Sequence, residues 1–170
     1  MKIAFLDRDG TISKEHSDEE WKYITDPILL EGTIEGLKKI KDKGYEFIIL
    51  TNQGLISKGY ITEEQYENYT NKLINILKDN DINVLKVYHC PHSSIDNCNC
   101  KKPKTGMIDK ALEEFNIDMN DSFYIGDSNS DYELATKFNL PFYGIKGRNN
   151  DDIFRYNNIL EIEENIWKIK

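Results

Sequence analysis

The 170-residue chain lacks most of what would tie it to a membrane, to nucleic acid or to the outside of a cell. No apolar run approaches the roughly 18 residues needed to cross a bilayer, so no membrane partner is expected. The first apolar stretch is too short for a secretory leader and runs straight into Asp7. Basic residues are outnumbered, 22 Lys and Arg against 30 Asp and Glu, which leaves a net charge of -8. That balance disfavours nucleic acid and anionic membranes, since both require a basic face. Cysteine is scarce, and its three copies all lie between Cys90 and Cys100. An odd, clustered set with no export signal points to a metal site rather than a disulfide framework, and to a cytoplasmic protein. Repeats and low-complexity segments are also missing. The length suits one domain, residues 1–170, with a monomer as the default state.

What is present is an alternation of strands and helices. Residues 3–6 read as a buried strand ending in Asp7-Arg8-Asp9-Gly10-Thr11. Residues 12–28 read as a loop or short hairpin over that strand end. A helix follows over 33–43, with Ile34, Leu37 and Ile40 at helical spacing and Gly44 as its stop. Residues 45–50 form a second strand that runs into Thr51-Asn52-Gln53. Thr62-Glu63-Glu64-Gln65 is a capping box that opens a long helix. Strand 83–88 leads into residues 89–104, which show no periodicity. Thr105 is expected to cap the next helix. Strand 122–125 precedes Gly126-Asp127-Ser128-Asn129-Ser130-Asp131, a short helix around Leu134, strand 141–145 and a final helix within 159–170. This order predicts an α/β, doubly wound, Rossmann-like parallel sheet with helices on both faces. Four polar clusters fall at the carboxyl ends of strands one to four, which is where such folds bind ligands.

The acids come first. Asp7 and Asp9 can aim oxygens at one magnesium ion, or set a carboxylate nucleophile beside a proton carrier. An ordinary Asp-Gly turn is the bland alternative. Adding Asp127 crowds carboxylates that a divalent cation would reconcile, and magnesium suits a set without His or Cys. Asp131 either joins them or supports its helix. Thr51 and Asn52 offer a hydroxyl and an amide to phosphate oxygens, or merely cap a turn. Cys90-Pro91-His92 and Cys98-Asn99-Cys100 supply three thiolates and an imidazole, a closed tetrahedral shell for structural zinc. His89 is a spectator. Zinc would organise a loop that has no secondary structure of its own, and Lys101 and Lys102 follow directly, aimed at the acids.

These residues resemble a known family. Asp7-x-Asp9-Gly10-Thr11, Thr51, Lys102 and Gly126-Asp127-x-x-x-Asp131 are similar to the four motifs of the haloacid dehalogenase superfamily of aspartate-nucleophile phosphatases. Thr51-Asn52-Gln53, the cysteine-histidine loop and Lys102-Pro103 resemble the zinc-containing D-glycero-D-manno-heptose 1,7-bisphosphate phosphatases and the related histidinol-phosphate phosphatases. Residues 56–63 and 102–107 look more like the heptose branch. Lys101 stands where that branch usually has Arg, and Ser128 where a Lys is usual. The resemblance implies catalytic Asp7, Asp9, Thr51 and Lys102. It implies magnesium held by Asp7, Asp9 (through its carbonyl) and Asp127, and structural zinc on Cys90, His92, Cys98 and Cys100. Arg8, Asn52, Gln53, Lys101 and Ser128 are expected to face substrate. The connections leave no room for a large cap domain, so the site should be open. The expected substrate is a small phosphorylated sugar, with heptose 1,7-bisphosphate ahead of histidinol phosphate. The rival from another class is a non-catalytic binding protein on the same scaffold.

Overall fold

The computed structural model describes residues 1–147 and 152–167. Five parallel strands form its sheet: β1 Lys2–Leu6, β2 Tyr45–Asn52, β3 Val84–Cys90, β4 Phe123–Gly126 and β5 Phe142–Gly144, in the order β3-β2-β1-β4-β5. Five α-helices connect or flank them: α1 Thr33–Asp42, α2 Glu63–Asp79, α3 Gly106–Glu114, α4 Asn129–Lys137 and α5 Ile159–Ile166. The expected end of the last helix, at 168–170, lies outside the described residues.

Period-two side chains explain the two-faced packing. Ala4 and Leu6 of β1, Phe47 and Ile49 of β2, and Phe123 and Ile125 of β4 point into one core, closed by Leu37 and Ile40 of α1, Leu73 and Leu77 of α2, and Ile159 and Ile162 of α5. Ile3, Phe5, Ile48, Leu50 and Tyr124 point the other way, against Met107, Ile108 and Ala111 of α3 and Leu134 and Ala135 of α4. A third, smaller cluster of Trp21, Ile61, Tyr66 and Tyr69 lies over the site end of the molecule.

The strand order places the site. The chain moves outward from β1 through β2 to β3, then crosses back to β4 on the other side of β1. The crevice between β1 and β4 is therefore the topological switch point, where open α/β sheets bind ligands. Asp7 follows β1 and Asp127 follows β4, and the Asp7 amide donates to Ile125 O at 3.0 Å. Between β1 and α1 the chain holds only a single 3₁₀ turn, Trp21–Tyr23, and no cap domain.

Three local expectations differ from the structure. β2 runs two residues further, so Thr51 and Asn52 belong to the strand itself. β3 likewise takes in His89 and Cys90. Thr105 precedes α3 but its side chain makes no capping bond, because its backbone is already helical there.

Candidate active site

At the carboxyl end of the sheet a pocket of about 200 Å³ is lined by Asp7, Asp9, Glu15, Thr51, Asn52, Lys102, Asp127, Ser128 and Ser130. All but Glu15 come from the sequence motifs that end β1, β2 and β4 and from the lysine after the cysteine loop. Gly10 makes the approach possible. Its φ is +86°, and a Cβ there would stand 2.1 Å from Asp127 Oδ2, so the β1 turn and Asp127 meet only because the residue is glycine.

Lys102 is the hub of the floor. Its Nζ donates to Asp7 Oδ1 and to Asp131 Oδ1, both at 2.7 Å, and to Leu50 O at 2.7 Å. Burial opposes its charge, but Asp131 and Asp7 outweigh that and hold the ammonium protonated. Asn52 clamps its backbone: the Lys102 amide donates to Asn52 Oδ1 at 2.9 Å, and Asn52 Nδ2 donates to Lys102 O at 3.2 Å. Asn52, expected to face substrate, thus has its amide committed to holding Lys102.

Asp131 is saturated. Oδ1 accepts from Lys102 and from the Tyr124 hydroxyl at 2.9 Å, and Oδ2 accepts from Ser128 N at 3.2 Å and Ser128 Oγ at 2.6 Å. Ser128 is the N-cap of α4 and Asp131 completes the capping box. Of the two roles considered for Asp131, these contacts favour the supporting one. Both of its oxygens accept from protein donors.

Asp7 and Asp127 are different. Asp7 Oδ2 is not bound by Lys102 and takes a long contact from Thr11 Oγ1 at 3.5 Å. Its pKa is raised to about 6, chiefly by burial, with Asp131 and Asp9 adding to it and Lys102 opposing. Asp127 is raised to about 8 by burial and then by Asp7 and Asp131, and a hydrogen bond joins it to Asp7. Two buried carboxylates that must share a proton are a donor set a hard divalent cation fits, since the cation replaces that proton. Carboxylate oxygens of Asp7, Asp127 and Asp131 lie within 4.8 Å of one another.

Asp9 is held from below. Arg8 grips it with a fork, Nε to Oδ1 at 2.9 Å and Nη2 to Oδ2 at 2.8 Å, and Gln53 Nε2 donates to Oδ2 at 2.9 Å. Arg8 and Gln53, expected to bind substrate, are instead only 1 % and 2 % exposed and lie off the pocket, with the neighbouring carboxylate taking their donors. Gln53 Nε2 also donates to Thr51 Oγ1 at 2.8 Å, which leaves that hydroxyl's own proton for the pocket.

The cysteine loop flanks this pocket. Cys90 ends β3, and the ligand atoms of Cys90, His92, Cys98 and Cys100 lie within 4.8 Å of one another. Cys90 Sγ is 3.6 Å from Cys98 Sγ and 3.5 Å from His92 Nδ1, while Cys100 Sγ is 2.9 Å from Cys90 Sγ. A tetrahedron with bonds of about 2.3 Å has an edge of about 3.7 Å, close to the two longer of these distances, so the set could hold zinc. The three thiols are free. Burial would raise the Cys98 thiol, but the amides of Lys101 and Cys100 and the Cys90 thiol bring it down to about 6, ready to ligate as thiolate. Burial pushes the Cys90 thiol up. His89 turns away and stacks on Tyr66, 4.1 Å between rings. The loop docks through Ser57 N to Pro91 O at 3.1 Å and Ser57 Oγ to Asp96 Oδ2 at 2.6 Å. A Cβ at Gly54 would approach His92 O to 3.0 Å and Lys101 Nζ to 3.3 Å, which sets Lys101 against the segment after β2 and off the pocket wall.

Sequence reasoning missed Glu15, Ser130 and the Tyr124 hydroxyl. Ser130 lay inside a motif already singled out. Tyr124 was absorbed in an apolar strand, and nothing in the sequence distinguished Glu15 from its polar neighbours.

The family model described as Polynucleotide kinase 3 phosphatase matches residues 2–150. The D-glycero-alpha-D-manno-heptose-1,7-bisphosphate 7-phosphatase of Photorhabdus laumondii is 40% identical over 152 residues, covering 83% of this chain and 80% of the relative. A probable D-glycero-D-manno-heptose-1,7-bisphosphate 7-phosphatase of Thermoplasma volcanium is 38% identical over 84% of this chain and 97% of its own length. The crystal structure of D,D-heptose 1,7-bisphosphate phosphatase from B. bronchiseptica, complexed with magnesium and phosphate, superposes with a TM-score of 0.83 over 100% of both chains at 20% identity. The motifs at the ends of β1, β2 and β4, the parallel sheet and these matches agree: the chain belongs to the Polynucleotide kinase 3 phosphatase family of haloacid dehalogenase-type phosphatases.

Proposed function

We propose that this protein removes the 7-phosphate from a D-glycero-D-manno-heptose 1,7-bisphosphate through an aspartyl phosphate on Asp7. One observation carries the chemistry: a buried nucleophile, Asp7, and a fixed second carboxyl, Asp9, line one pocket with Lys102, Thr51 and Asp127. The names of the relatives carry the substrate.

Asp7 attacks phosphorus with the oxygen that Lys102 does not hold. The bond from phosphorus to the sugar oxygen breaks, and that oxygen takes its electron pair and the proton of Asp9. Asp9, now a carboxylate, takes a proton from water, whose oxygen attacks the phosphoryl group. The electron pair of the broken bond returns to Asp7, and Asp9 is protonated again. Thr51 donates to a phosphoryl oxygen, and Lys102 supplies positive charge at the floor. Asp7, the Asp9 carbonyl and Asp127 would hold magnesium, which supplies positive charge between the nucleophile and the anionic phosphate. Cys90, His92, Cys98 and Cys100 would hold zinc, which fixes the loop carrying Lys101 and Lys102. Ser128 lines the pocket where the non-reacting part of the sugar would lie.

We place the enzyme in the cytoplasm as a monomer, one phosphatase domain over residues 1–170. Unpaired thiols suit a reducing compartment, and no helix among the described residues is long and apolar enough to cross a membrane. The net charge of -8 speaks against a polynucleotide substrate.

The test is phosphate release with magnesium from heptose 1,7-bisphosphate, histidinol phosphate and a 3′-phosphorylated oligonucleotide at equal concentration. At least a tenfold preference in kcat/KM for the heptose is expected. Preference for either competitor would overturn the substrate assignment, and release undiminished in Asp7→Asn would overturn the mechanism.

A further inference from the structure

The largest fully buried side chain is a charged one, Arg8. A guanidinium is not placed in a core by packing alone, because burying a charge costs free energy unless partners replace its water. Its partners are fully specified. Nε and Nη2 form the fork on Asp9, and Nη1 donates to Thr70 Oγ1 of α2 at 3.0 Å. The guanidinium carbon lies 4.7 Å from the ring centre of Tyr69, 5.4 Å from Tyr66 and 5.6 Å from Trp21. Three rings from two separate segments, the 3₁₀ turn and α2, close an aromatic cage around one cation. The Arg8 carbonyl is tied as well, accepting from Ile12 N at 2.9 Å and Ser13 N at 3.1 Å.

We propose that Arg8 is a positioning residue for Asp9, and that the aromatic cage of Trp21, Tyr66 and Tyr69 exists to hold its guanidinium in place. The inference rests on the reading of Asp9 as the group that protonates the leaving oxygen. A carboxyl on a short side chain has two free torsions, and proton transfer needs it within hydrogen-bond reach of the departing atom. The planar fork removes that freedom, which a lysine ammonium in the same place would not do. The fork also aims the carboxyl without filling it. Oδ2 carries both Arg8 and Gln53, whereas Oδ1 has Arg8 and only a long contact, Ser13 Oγ at 3.4 Å. Tyr69 reaches the same group through its hydroxyl, which donates to Ser13 Oγ at 3.2 Å. The cage, α2 and the 12–28 segment therefore converge on one carboxyl group.

Leaving-group dependence tests this, because kcat/KM ends with departure of the leaving oxygen. A sugar alkoxide needs the proton from Asp9, whereas p-nitrophenolate departs without it. The experiment compares kcat/KM for heptose 1,7-bisphosphate and p-nitrophenyl phosphate in wild type, Arg8→Lys, Arg8→Met and Thr70→Val, with a melting curve for each. Arg8→Met is expected to lose about 100-fold on the heptose and less than about 10-fold on p-nitrophenyl phosphate. Arg8→Lys should recover little of the heptose rate, since the charge returns without the fork. Thr70→Val keeps the guanidinium and loosens its far side, so it should show the same split at smaller size even where the Arg8 variants fail to fold. Equal losses on both substrates, tracking the melting temperature, would overturn the inference and make Arg8 a purely structural ion. A wild type that releases phosphate from neither substrate would instead overturn the proposed function on which this rests.

Discussion

The acid pocket and the cysteine loop sit side by side at one end of the sheet, yet they are held by opposite means. Asp7, Asp127 and Asp131 are all buried and hang directly from strand ends or a helix cap, and they bind Lys102, which is also buried but is carried by the segment after the cysteine loop. Of the four candidate ligands only Cys90 is buried and attached to a strand; His92, Cys98 and Cys100 are half-buried on a stretch without helix or strand until Gly106. The first site is framed mostly by strand ends and a helix cap, so a metal there would add chemistry. The second lacks such a frame, so a metal there would add structure. Damage to the first should therefore appear in turnover, and damage to the second in stability.

The largest effect expected is on turnover. Asp7→Asn should lower phosphate release more than about 1000-fold while leaving zinc content and melting temperature nearly unchanged, as read by phosphate assay, metal analysis and calorimetry. Lys102→Met lies at the boundary between the two regions. It strands Asp7 and Asp131 without their cation, which should destabilise by about 3 kcal/mol, or roughly 6–12 °C, and abolish turnover. Cys98→Ser should lower zinc content first and the melting temperature by roughly 5–10 °C, with activity lost only as the loop melts. Loss of activity in Cys98→Ser at full stability would break the comparison.

The pH dependence is smaller and has a definite sign. Asp7 and Asp127 bind protons more tightly in the folded chain, at about 6 and about 8, than their ordinary value of 3.8. The unfolded chain thus holds fewer protons between these values, and stability falls as pH rises. In magnesium-free buffer the contribution should be complete below about pH 4 and disappear as pH passes 6 and then 8. Magnesium should flatten this slope and release protons near pH 7, measurable by titration calorimetry in two buffers of different ionisation enthalpy. Smallest is Ser128→Ala, which removes the α4 cap and should cost about 1 kcal/mol, or 2–4 °C, in thermal melts.

How much of this was legible in the sequence follows from the same contrast. Asp7, Asp127 and Thr51 were found because strand periodicity ends abruptly in polar residues, a signal carried by neighbours in the chain. Cys90, His92, Cys98 and Cys100 were found from spacing alone. What was not legible depends on contacts between distant segments. Arg8 next to two active-site acids read as a substrate contact, and only the convergence of Trp21, Tyr66 and Tyr69 shows why it turns inward. Asn52 read as a phosphate contact and Gln53 as a substrate contact, yet their partners include the Lys102 backbone and Asp9, neither of which lies near them in sequence. Tyr124 looked like one more apolar strand residue until its hydroxyl met Asp131.

The central claim is that the phosphoryl group passes through Asp7. The most direct measurement is rapid acid quench of wild type with magnesium and heptose 1,7-bisphosphate, then borohydride reduction and peptide mass spectrometry. An acyl phosphate on Asp7 should be reduced to homoserine at that position alone. Phosphate released while Asp7 stays unmodified, or reduction at another carboxylate, would contradict it.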